Sequence, residues 1–93
     1  METDLRSFPG GDLVEAGLRD LAQGAVTDES LLVSIGRPRL VQLGLEVPAG
    51  FDNPEHRLYE RLGARLGDAA HGRYNALVGR LVSFERSFAC AGS

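Results

Sequence analysis

Few side chains in this 93-residue sequence are suited to chemistry, and their spacing decides how far each can be taken. His56 and Glu60 stand at i, i+4, on one face if their segment is helical, and His71 follows beyond a helix break. Three such ligands would make an open zinc site and a metal-dependent enzyme. The tight pairing of two His around a Glu on one helix turn is absent, so each His reads first as a surface residue. Cys90 is the single cysteine and has no His near it in sequence; a thiol without a base or cation beside it is ordinarily inert. Tyr74 and Asn75, with His71 and Arg73, form the densest polar group inside a helical stretch. Tyr74 falls within an apolar stripe, so its hydroxyl needs a partner such as Asn75 or an Arg. Gly10-Gly11 precedes a helix, but no strand leads into it, so it is not a phosphate loop. No cofactor is expected, and enzyme is the least favoured class because no acid/base pair is legible.

The basic residues are better organised. All ten are Arg, and the chain has no Lys, which excludes Schiff-base chemistry and a P-loop lysine. Arg57, Arg61 and Arg65 repeat at i, i+4 and i+8. Like charges at that spacing repel by a few tenths of a kcal/mol each, so the row calls for counter-charges. Glu15, Asp20 and Glu60 are the nearest candidates. The alternative is an anion-binding surface that Arg73 and Arg80, seven apart, would extend. Residues 27–45 also admit a helix-turn-helix reading, with Arg37 and Arg39 on its second helix. That helix would be short, Pro38 removes a backbone donor at its start, and the net charge is −3. A nucleic-acid-binding regulator is therefore the runner-up function rather than the first.

These side chains must be positioned by a modest core. A 43% hydrophobic and 25% charged chain of this length is an ordinary single globular domain. One Cys excludes an intramolecular disulfide, and no run approaches the ~18–20 apolar residues of a membrane span. An acidic start, Met1-Glu2-Thr3-Asp4, is unlike a secretory signal, so a cytoplasmic location is expected, without a membrane partner. Residues 1–35 carry seven acids and two Arg, whereas 36–93 carry six acids and eight Arg; the two halves are suited to pairing with each other.

The punctuation predicts an all-α bundle of about five helices. Residues 1–11 read as a flexible leader from which Leu5 and Phe8 can dock. Asp12 and Glu15 read as a capping box opening a helix over 12–23, with Gly24 as its C′ residue. Thr27 is the next N-cap, and Gly36 ends that helix. Pro38 then opens a short third helix closed by Gly44. Residues 41–47 also alternate like a strand, but no other segment offers a partner. Asn53 and Pro54 start a helix whose buried side is Leu58, Leu62 and Leu66, and Gly67-Asp68 stops it and caps the next.

The last helix, 69–89, gives the strongest pattern. Ala70, Tyr74, Leu77, Leu81, Phe84 and Phe88 follow a 4-3-4-3-4 stripe. Gly72, Ala76, Gly79, Ser83 and Ser87 recur on the opposite face. Two interior Gly cost a helix about 1 kcal/mol each, which suggests that a neighbouring helix comes close. The tail, 90–93, is expected to fray. The function expected is a small protein–protein interaction module, self-associating through the small face of the last helix as a homodimer or meeting another protein.

Overall fold

The computed structural model describes residues 4–91. A 3-10 turn over Leu5–Ser7 leads into α1 (Gly11–Ala22), α2 (Asp28–Gln42) and α3 (Pro54–Leu66); a second 3-10 turn over Gly67–Ala69 leads into α4 (Ala70–Ala91). The chain is all-α, with four α-helices rather than about five, and no strand forms among the described residues.

The missing helix was lost to fusion. Gly36 and Pro38 do not end one helix and begin another; both lie inside α2. A Cβ on Gly36 would stand 2.9 Å from a Leu81 methyl, so α2 and α4 touch at that point. Pro38 sits on the exposed side of α2. It removes one helical hydrogen bond, a cost of about 3 kcal/mol. Continuing the helix past it buries Leu40 completely, which offsets part of that cost. The 41–47 question resolves accordingly: α2 reaches Gln42, and Leu43–Val47 leave it without strand pairing.

The helix ends read from Gly24 and Gly44 are as expected. Ala25 N–H donates to the Asp20 carbonyl (2.9 Å) and Gly24 N–H to that of Leu21 (3.1 Å), with Gly24 at φ +73°. Leu45 and Gly44 repeat the pattern on Leu40 and Val41. These are Schellman motifs, which need a residue at positive φ. Thr27 caps α2 as expected: its hydroxyl accepts from Ser30 N–H (3.0 Å), and Ser30 Oγ accepts from Thr27 N–H (2.8 Å).

Two other caps differ. Asp12 and Glu15 form no capping box; the N-cap of α1 is Gly10. A Cβ on Gly11 would lie 1.6 Å from the Leu5 carbonyl oxygen, and one on Gly10 2.4 Å from that of Arg80. The glycine pair lets the chain run tight against the first turn and α4, and α1 starts one residue early. Asn53 precedes α3, but its side chain makes no capping bond; it supplies a left-handed φ of 48° instead. Gly67, at φ +57°, ends α3, while Asp68 lies inside the second 3-10 turn.

α2 is the central element, touching α1, α3 and α4, whereas α1 and α3 do not meet. Ser30, Leu31, Leu32, Val33 and Ser34 are buried in succession, so α2 is enclosed on all sides at that level. A Cβ on Gly17 would strike the Glu29 carbonyl oxygen and a Val33 methyl at 2.4 Å, which marks the α1–α2 crossing. The large stripe of α4 faces inward: Ala70, Leu77, Leu81 and Phe84 are buried, and Tyr74 and Phe88 half-buried. Leu58 and Leu62 are buried as expected; Leu66 is not, staying 42% exposed where the chain turns away at the end of α3.

Of the leader, 1–11, residues 1–3 lie outside the described residues. Phe8 docks, its ring 5.9 Å from Phe84 and 5.3 Å from Phe88. Of the tail, 90–93, Cys90 and Ala91 continue α4, and 92–93 lie outside the described residues.

Candidate functional site

The Arg row sits on α3 and faces the start of α2. Its counter-charge is Asp28, not Glu15, Asp20 or Glu60. Arg61 Nε donates to Asp28 Oδ1 at 3.1 Å, and Arg65 Nη2 donates to Oδ2 of the same carboxylate. Asp28 also lies in the first turn of α2, where the helix dipole favours a negative charge. Arg57 stands over the Phe51 ring, 5.2 Å from its centroid. Arg80 does not extend this row, because it reaches Asp12 at 2.9 Å and joins α4 to α1. Arg73 is exposed on α4.

The other acids named from sequence have separate tasks. Glu15 lies 3.6 Å from Arg6. Asp20 accepts from the Thr27 hydroxyl (2.8 Å), tying α1 to the cap of α2. Glu60 lies 3.1 Å from His56 Nε2 on an exposed turn. His71 is not part of that pair; it meets Asn75 at 3.2 Å. Among the described residues no group of three or more His, Cys, Asp or Glu is placed to hold a metal ion.

Arg37 is turned back on its own chain. Its Nε donates to the Pro48 carbonyl (2.9 Å) and its Nη2 to that of Val47 (3.3 Å). Phe51 N–H donates to Ser34 Oγ (3.1 Å), which itself donates to the Ser30 carbonyl (2.8 Å). Arg37 and Ser34 thus strap the 43–53 connection along α2. Arg39 is exposed and within 3.5 Å of Gln42 Oε1.

Tyr74 is not partnered by Asn75. Its ring packs on Tyr59 with centroids 5.5 Å apart, and the Tyr59 ring lies 6.2 Å from His71. Burial, assisted by the Glu55 carboxylate, raises the Tyr74 phenol above its ordinary pKa. Glu85 sits where α4 crosses α2, and burial raises its carboxyl above the usual range, partly offset by Arg39. Cys90 is an exposed thiol.

The small stripe of α4 is open. Gly72, Ala76, Gly79 and Ser83 are exposed and Ser87 is half-buried. A Cβ on Gly72 or Gly79 would meet nothing within 4 Å. Within the fold, close helix approach occurs not at these two glycines but at Gly17 and Gly36. Sequence reasoning missed both. It also missed Asp28 as the acid shared by two arginines. No helix among the described residues is long and apolar enough to cross a membrane. Compared with known proteins, the chain matches no family model, no curated protein and no solved structure.

Proposed function

We propose that this chain is a small helical protein–protein interaction module that self-associates through the exposed face of α4. One observation carries the reading. Gly72 and Gly79 sit inside a helix at positive cost, about 1 kcal/mol each, yet neither has a neighbour nor a positive φ to account for it. Gly10, Gly11, Gly17 and Gly36 each meet a tight contact, and Gly24, Gly44 and Gly67 each adopt positive φ; among the described residues Gly63, inside α3, shares the open setting of the α4 pair but stands alone, whereas Gly72 and Gly79 line one strip with Ala76 and Ser83. A second helix laid along Gly72, Ala76, Gly79 and Ser83 would give the two α4 glycines the same use.

The dimensions fit a helix pair. From Gly72 to Ser87 the strip runs roughly 22 Å at 1.5 Å per residue, and small side chains favour the short end of the ~8–10 Å spacing between packed helices. Stable interfaces cover about 800 Å² per partner, more than one narrow strip supplies.

Sedimentation equilibrium across a concentration series tests this. The parent should approach twice the chain mass, and Gly79→Leu, which fills the strip without touching the core, should stay monomeric with unchanged helicity. A parent that is monomeric throughout, or a Gly79→Leu variant that dimerises as the parent does, overturns the proposal.

A further inference from the structure

A different surface, formed by α3 and the connection between α1 and α2, brings apolar and cationic side chains together. Val26, in the turn between α1 and α2, is 38% exposed and opens into a shallow cleft of ≈ 420 Å³ lined also by Arg57, Glu60, Arg61 and Ala64. Val26 and Ala64 supply apolar surface, and two guanidinium groups line the same cleft.

The charges there are not balanced from within. Both oxygens of Asp28 are engaged, one by Arg61 and one by Arg65. Glu60 is drawn to His56. Three guanidiniums of the row therefore face two carboxylates, and Arg57 makes no ion pair among the described residues. Arg57 is nonetheless held, because its guanidinium lies against the Phe51 ring. Arg61 is fixed through Nε by Asp28, which leaves its terminal nitrogens for another acceptor. Two preorganised, fork-shaped donors beside an apolar floor suit a carboxylate on a short apolar arm.

We infer that this cleft docks an acidic segment of a partner protein, with a Glu carboxylate between Arg57 and Arg61 and its methylenes or a neighbouring apolar side chain against Val26 and Ala64. A protein segment is favoured over a free organic acid because the cleft is shallow: small-molecule sites bury most of their ligand, whereas a side chain presented from a larger surface needs only its tip enclosed.

The test uses the full chain and a short acetylated peptide alternating Glu and Leu, titrated in low salt and followed by NMR at the Arg Nε–Hε and Val26 methyl signals. Saturable shifts at Arg57, Arg61 and Val26 are expected, weakening as salt screens the charges. Arg57→Gln, which leaves both Asp28 pairs intact, should weaken binding about tenfold, as expected for one charge-assisted hydrogen bond. Gly79→Leu should leave binding unchanged, so failure here and failure of the α4 interface are separable. The inference is overturned by absent saturation, by equal binding of the peptide with Gln for Glu, by an unaffected Arg57→Gln, or by glutarate binding as tightly as the peptide.

Discussion

Replacing helix-interior glycines with alanine gives the most direct check on which close contacts belong to the fold. Alanine at Gly72 or Gly79 enters open space, since nothing lies within 4 Å of the added methyl. Each change should therefore return the helix-propensity cost of glycine and stabilise the monomer by about 1 kcal/mol. For a domain of this size that corresponds to a Tm increase of about 4–8 °C per substitution. Gly17→Ala gains the same propensity but drives a methyl to 2.4 Å from the Glu29 carbonyl oxygen and a Val33 methyl. Backbone cannot move aside as a side chain can, and α1 must back away from α2. Overpacking of this kind costs about 1–3 kcal/mol, so Gly17→Ala should be destabilised by about 1 kcal/mol or more. Gly36→Ala falls between, because its nearest atoms, the Leu81 methyls at 2.9 and 3.1 Å and Glu85 Oε2 at 3.2 Å, end flexible side chains. Urea denaturation followed by far-UV circular dichroism, at a concentration where each variant is monomeric, gives the order. A Gly17→Ala protein as stable as Gly79→Ala would refute the account of the α1–α2 crossing. A destabilised Gly79→Ala monomer would refute the open α4 face.

Three further outcomes follow from particular contacts. Asp28→Asn removes the shared counter-ion of Arg61 and Arg65 and a first-turn acid; thermal melts should show a loss of about 1 kcal/mol at low salt that shrinks in high salt, and a salt-independent effect would contradict the charge argument. Ser34→Ala deprives Phe51 N–H of its acceptor, which should cost about 1–3 kcal/mol and accelerate hydrogen exchange at the Phe51 amide; unchanged exchange there would mean that Ser34 does not hold the strap. Because burial raises the Glu85 pKa in the folded chain, its ionisation opposes folding: the stability it contributes is full below the unfolded-state pKa and is lost as pH rises through the folded value. Glu85→Gln should accordingly gain on the parent between acid and neutral pH, and a stability difference flat across that range would refute the assignment.

Local signals located most helix ends. Thr27, Gly24, Gly44 and Pro54 act within a few residues of themselves, through bonds such as Ser30 N–H to Thr27 Oγ1 and Ala25 N–H to the Asp20 carbonyl. The 4-3-4 stripe of α4 was legible for a similar reason: a helix packed on one side repeats its apolar residues at the helical period. The central helix was less legible because Ser30 to Ser34 are buried in succession, which leaves no one-sided stripe to read. Gly36 and Pro38 look like punctuation in a sequence, and nothing within five residues says that Leu81 will close on Gly36.

The sequence by itself thus determined an all-helical chain, its principal caps and the inward face of its last helix, because each depends on neighbours along the chain or on a single periodicity. Tertiary structure alone decided which glycines admit another helix, that Arg37 straps the connection after α2 rather than facing a partner, and that Asp28 serves two arginines 33 and 37 residues away. Those choices depend on how the whole core closes. Gly17 and Gly79, both glycines inside amphipathic helices, end in opposite surroundings because only Gly17 lies where two helices of the chain cross.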